Sequence, residues 1–174
     1  MLACEKWFWR YEMMKRIIET SIITSLMTCR EAFYTIVEAR DAAMRASCLC
    51  GGVKFEIEGE FVYAGYCHCN ECQKFSGSAN SVFGGLKKEQ LTVVQGRELM
   101  SYYVKYPGSH VAFCSRCGSC LLNEKVDWDT TNIRLGLLDD ATAKEPDFHV
   151  YVGSKAPWHH WQDDLPKFDE LPDG

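Results

Sequence analysis

The 174-residue chain has no apolar run of the roughly 18 residues that a membrane-spanning helix needs. A clean export signal is missing too: the apolar stretch Ile17 to Cys29 is interrupted by Glu19 and lacks a small-residue cleavage site. There is no basic excess, since 19 Lys and Arg against 24 Asp and Glu leave a net charge of −5. That argues against a general affinity for nucleic acid, whose phosphates demand a positive face. No internal repeat or low-complexity tract is visible. With 47% hydrophobic and 25% charged residues, the composition excludes the disordered and fibrous classes. What remains is one domain's worth of chain, long enough to bury a core and expected in the cytoplasm.

Cysteine, by contrast, is abundant. Ten cysteines in a reducing compartment read as metal ligands or redox groups rather than disulfides. Their distribution follows a division of the chain into residues 1–46 and 47–174. In the first part Ile18, Ile22, Leu26, Cys29, Phe33, Ile36 and Val37 recur at spacings of three and four, which predicts one amphipathic helix over Met13–Met44. This extension is expected to be an appendage to the chemistry, an over-extended gene start ahead of Met44, or a contact through which the chain forms a homo-oligomer. From Ser47 the period changes to two. Val53, Phe55 and Ile57 alternate with polar neighbours, and short runs at Phe61–Tyr63, Ser81–Phe83, Leu91–Val94, Tyr102–Val104, Val111–Phe113, Ile133–Leu137 and His149–Val152 are predicted as strands. Gly59, Gly84-Gly85, Gly96, Pro107-Gly108 and Asp139-Asp140 punctuate them. The fold class is therefore all-β, a sandwich or barrel-like arrangement.

Seven cysteines of this part fall into three groups: Cys48-x-Cys50, Cys67-x-Cys69-x-x-Cys72 and Cys114-x-x-Cys117. Side chains at i and i+2 of an extended segment share a face, so Cys48 can join Cys50, and Cys67 can join Cys69, on one metal. Asn70 is expected to cap a helical turn that swings Cys72 toward the same point. Cys114-Ser-Arg-Cys117-Gly118 has the form of a zinc knuckle, with a glycine that lets amides turn toward the thiolates; Gly51 can serve Cys50 alike. Seven ligands divide naturally into a closed four-thiolate zinc and an open three-thiolate zinc, two ions per chain. Spacing alone leaves the pairing open, and the triplet's cysteines could also complete a ribbon with Cys114 and Cys117. Cys4, Cys29 and Cys120 lack partners at ligand spacing and read as ordinary thiols.

These motifs, together with Gly51-Gly52-Val53, Phe113-Cys114, Gly136-Leu-Leu-Asp139-Asp140 and Lys155-Ala-Pro157-Trp158, resemble the glutathione-dependent formaldehyde-activating enzyme family, also called centromere protein V-like, from about Ser47 to Pro172. The resemblance implies a β-tent of antiparallel sheets built around zinc. It assigns Cys48, Cys50, Cys114 and Cys117 to a structural zinc, and Cys67, Cys69 and Cys72 to a catalytic one. It further implies a carbon–sulfur lyase that reversibly joins glutathione and formaldehyde as S-hydroxymethylglutathione. The helical extension has no counterpart in the family pattern.

Other residues carry weaker signals. Lys74 is the nearest basic residue for a glutathione carboxylate, with a solvated surface lysine as the plainer reading, and Arg116 reads as surface. His68 is expected to be packed behind the metal ligands. His159 and His160, beside Trp158 and Trp161, suggest a core or subunit contact, and Asp139-Asp140 a tight turn. Two other functions compete with the lyase: a non-catalytic zinc-stabilised module that binds a protein partner through the aromatic N-terminal segment, and a thiol redox or zinc sensor acting through the open triplet.

Overall fold

The computed structural model describes residues 43–140 and 144–172. The expected N-terminal helix, with Cys4 and Cys29, lies outside the described residues up to Ala42. Met44 opens a strand instead, so the anticipated end of the helix and the 46/47 boundary both fall inside β1.

Eleven strands are seen among the described residues: β1 (Met44–Ser47), β2 (Lys54–Ile57), β3 (Tyr63–Cys67), β4 (Ser81–Lys87), β5 (Leu91–Gln95), β6 (Met100–Tyr106), β7 (Ser109–Cys114), β8 (Cys120–Lys125), β9 (Thr130–Arg134), β10 (Phe148–Val150) and β11 (Lys167–Phe168). One short helix, α1 (Asn70–Ser76), interrupts them. A small sheet has the order β1-β2-β5, and a large one the order β11-β10-β3-β4-β9-β8-β7-β6. Hairpins make most neighbours antiparallel. The expectation of purely antiparallel sheets needs correction at one edge, where β10 runs parallel to both β3 and β11. The chain leaves β9 on one side of β3-β4 and re-enters on the other, and such a crossover is free of the hairpin constraint.

The sequence patterns explain the layers. β2 buries Phe55 and Ile57 and exposes Lys54 and Glu56, the period-two pattern of a half-buried strand. These side chains join Leu86, Ala112, Leu121, Leu122 and Ile133 from the large sheet in the main core, which also takes in Cys48 and Cys114. A second cluster of Cys67, Phe83 and Val150, flanked by Tyr63, Phe148 and Tyr151, covers another region of the large sheet.

Several predicted strand limits shift. Ile133–Leu137 ends as a strand at Arg134, because Leu135–Leu137 tightens into a 3-10 turn that places Leu137 in the core. The strand expected at Phe61–Tyr63 begins only at Tyr63 and runs to Cys67, and that expected at His149–Val152 runs from Phe148 to Val150. β1, β8 and β11 were not anticipated. β8, Cys120–Lys125, mixes Leu with Asn, Glu and Lys, a composition that reads as strand only once its neighbours supply the ladder. No helix among the described residues is long and apolar enough to cross a membrane.

Candidate functional site

The seven cysteines assemble into two sets. In each, the sulfurs all lie within 4.8 Å of one another: Cys48, Cys50, Cys114 and Cys117 in one, Cys67, Cys69 and Cys72 in the other. The ribbon alternative, mixing the triplet with Cys114 and Cys117, is not what the fold brings together.

The four-sulfur set is built from two matching turns. After Cys48-Leu-Cys50, Gly51 takes φ +66, and its amide donates to the Cys48 carbonyl at 2.8 Å. After Cys114–Cys117, Gly118 takes φ +76, and its amide donates to the Cys114 carbonyl at 2.8 Å. Both glycines occupy the left-handed region that a Cβ disfavours. The turns aim donors at sulfur: the Val53 amide reaches Cys48 Sγ at 3.2 Å, and the Ser119 hydroxyl lies 3.3 Å from Cys117 Sγ. The Ser119 hydroxyl and then its amide hold the Cys117 thiol down at about 5, in the thiolate range at neutral pH.

The triplet is carried by the end of β3 and by α1. Cys67 closes the strand, where it faces Ser81 and Val150. The helix cap is Cys69 rather than the expected Asn70: its sulfur accepts from the Cys72 amide at 3.4 Å. A thiolate thus does the work usually given to a side-chain oxygen, and the same hydrogen bond fixes Cys72 beside Cys69. The three sulfurs cannot all ionise against one another. Hydrogen bonds from Cys67 and Cys72 pull Cys69 down to about 2, while Cys69 and then Cys72 push Cys67 far up.

The donor sets fit a metal ion. Sulfurs placed about 2.3 Å from a tetrahedral centre stand about 3.8 Å apart. The separations are 3.5 Å for Cys48–Cys50, 3.9 Å for Cys50–Cys114 and 3.4 Å for Cys67–Cys69. All exceed the ~2.05 Å of a disulfide, and all eight described cysteines are free. Soft thiolates at this spacing, with amides directed at them, are a donor set suited to zinc.

The triplet opens onto a large cavity. A pocket of about 750 Å³ is lined at one end by Cys67, Cys69 and Cys72, a volume within the roughly 300–1,000 Å³ of small-molecule sites. Tyr63, Phe83 and Phe148 form an apolar wall, while Asn123, Asn132 and Arg134 form a polar stretch. Tyr151, with φ 57, is the one non-glycine residue at positive φ among the described residues, and it lines the pocket close to the triplet. Burial first, then Cys67 and Cys69, raise its phenol, which stays protonated at neutral pH.

His68 points away from the pocket. It is fully buried, and its Nε2 lies 2.8 Å from His149 Nδ1, while His149 Nε2 lies 2.9 Å from Asp163 Oδ1. Asp163 accepts from His149, and within the His68–His149 pair one ring nitrogen donates to the other. His159 and Trp161 pack on this chain with ring centroids 5.5 and 5.2 Å from His68, while Trp158 and His160 are exposed. The Gln73 amide donates to both the His68 and Ser154 carbonyls, which ties α1 to the loop after β10.

The remaining expectations fall as follows. Lys74 lines a smaller neighbouring pocket rather than the one at Cys67 and Cys69. Arg116 is exposed. The Cys120 thiol belongs to neither set and lies 2.8 Å from the Phe75 carbonyl. Asp139 and Asp140 point apart, toward Ser47 Oγ at 2.7 Å and Arg45 at 2.9 Å, and pin their loop to β1. Sequence reasoning missed Arg134, Tyr151 and the Asn123–Asn132 pair, none of which carries a spacing signal.

Comparison with known proteins agrees with this arrangement. The fold is similar to that of a Rhodobacter sphaeroides protein determined as a structural-genomics target, at 22% identity and a TM-score of 0.50, covering 57% of this chain and 91% of that one. No curated protein matches. The sequence profile of the family described as glutathione-dependent formaldehyde-activating enzyme matches residues 43–154. With more than half of its length so matched and both cysteine sets inside the match, the chain belongs to the glutathione-dependent formaldehyde-activating enzyme family.

Proposed function

We propose that the protein is a zinc-dependent carbon–sulfur lyase of the cytoplasm that reversibly joins a thiol such as glutathione to formaldehyde or a related small aldehyde. Cys48, Cys50, Cys114 and Cys117 are the ligands of a structural zinc, and Cys67, Cys69 and Cys72 those of a catalytic one. The observation that carries this reading is the contrast between the two sets: four sulfurs complete one cage, whereas three stand at the end of a 750 Å³ pocket. Zinc on three thiolates favours the deprotonated, nucleophilic form of an incoming thiol and is a weak Lewis acid toward the aldehyde.

The chain's own residues supply the rest. Phe83, Phe148 and Tyr63 give the pocket a dry wall. The His68–His149–Asp163 chain holds the Cys67–Cys69 segment from behind, and the Cys69 cap orients Cys72. In the forward direction the thiol sulfur bonds to the carbonyl carbon, the C=O π pair moves to oxygen, and the proton lost by the thiol ends on that oxygen. Tyr151, a protonated phenol that lines the same pocket, relays it: the phenol donates to the oxygen and takes up the proton the thiol releases.

Exchange between free formaldehyde and its glutathione adduct, followed by NMR with zinc-loaded protein, tests the proposal. Acceleration over the uncatalysed rate is expected, with its loss in Cys69→Ala. Background rates from well-folded, two-zinc protein would remove the assignment.

A further inference from the structure

We propose that Arg134 is the anchor for a carboxylate of the thiol substrate, so that the pocket selects acidic, peptide-like thiols over small neutral ones. This inference rests on the thiol–aldehyde reading and adds the residue that gives it selectivity.

The register of the large sheet places Arg134. β9 pairs with β4 so that Arg134 stands opposite Phe83, and Phe83 stands opposite Gly65 on β3, two residues before Cys67. Two strand spacings across and two residues along put the Arg134 and Cys67 Cα atoms about 12 Å apart. An extended arginine covers part of that distance, and a cysteine-containing peptide can bridge the rest between its sulfur and a terminal carboxylate.

Arg134 is only 8% exposed, yet no acceptor among the described residues takes a hydrogen bond from its guanidinium, and its Nε is buried without a partner. The Phe75 ring lies 5.5 Å from the guanidinium carbon, and Cys72 and Cys120 are near enough to feel its charge. A buried, always-charged group without a carboxylate partner among the described residues is costly, and arginine's fork matches a carboxylate. The other lining cations are engaged elsewhere: Lys105 pairs with Glu71, and Lys125 lies over the Trp128 ring. Beside Arg134, on the same face of β9, is Asn132, directly opposite Asn123 of β8. The side-chain oxygens of both are buried with no donor. A free cation next to two unmet acceptors is the complement of a carboxylate next to peptide N–H groups.

The test uses zinc-loaded, full-length protein with metal content counted. Binding of glutathione, glutathione diethyl ester and 2-mercaptoethanol is measured by calorimetry, and by the thiolate charge-transfer absorbance of cobalt-substituted protein, for wild type, Arg134→Gln and Arg134→Lys. Wild type is expected to bind glutathione at least about tenfold more tightly than the diester. Arg134→Gln should lose about 10- to 100-fold for glutathione and less than about twofold for the diester and 2-mercaptoethanol, with Arg134→Lys in between. Equal wild-type affinity for glutathione and its diester overturns the proposal without needing any variant. So does an Arg134→Gln protein that weakens all three thiols alike or loses a metal ion, since Arg134 would then serve the cysteine triplet. Wild-type protein that binds none of the three thiols overturns the thiol–aldehyde reading itself.

Discussion

His68 shows how much a single residue's surroundings decide. Burial first, then the neighbouring His149, His159 and Lys155, hold its imidazole down at about 4, against about 6.5 in an unfolded chain. Between those values the unfolded chain takes up a proton that the folded one refuses. Stability from this group is therefore complete above pH 6.5 and is lost as pH falls toward 4, by on the order of 3 kcal/mol. Urea unfolding of zinc-loaded protein at pH 7.5, 6 and 5 should show that slope, and His68→Gln should flatten it. Identical slopes in the two proteins would contradict the buried neutral assignment. The sequence could hint at His68 because it lies between two ligand cysteines. It could not reveal Arg134, which is one arginine on a strand and acquires meaning only when β4 and β3 bring Phe83 and Cys67 alongside it.

At the scale of elements, the cysteine turns were the most legible feature, because ligand spacing and the glycine behind it are local constraints. Gly118 has φ +76, and a Cβ there would meet nothing within 4 Å. Gly118→Ala should therefore cost only the left-handed backbone penalty, about 1–2 kcal/mol, and keep the metal. Chemical denaturation with zinc counting on the folded fraction checks both halves, and loss of several times that energy would show that the turn is held by more than its backbone. α1 was half-legible: the swing of Cys72 toward Cys69 could be anticipated, but its cap is a sulfur instead of the Asn70 side chain. β8 was not legible, because Asn123, Glu124 and Lys125 gain their strand from β7 and β9 rather than from their own propensity. The parallel β10 was hidden for a related reason, as the direction of a crossover strand is a property of the whole path.

For the molecule as a whole, both sheets and both cysteine sets lie within residues 43–172. β1 pairs Met44 with Ile57 and Ser47 with Lys54, so a deletion of 1–46 would remove most of the small sheet's first strand. A chain starting at Ala43 should instead fold, keep both metals and match the full-length protein in thermal midpoint to within a few degrees. A large fall, or loss of metal, would make the first 42 residues part of the folding unit. The central claim concerns these cages: one closed and needed for the fold, the other open and dispensable to it. Its most direct test is zinc per chain, counted on purified wild type, Cys69→Ala and Cys114→Ser. The account expects two ions in wild type, one ion in a folded Cys69→Ala protein, and an unfolded or aggregated Cys114→Ser protein. Wild-type protein that is folded yet free of metal, or whose sulfurs are joined as disulfides, would contradict it.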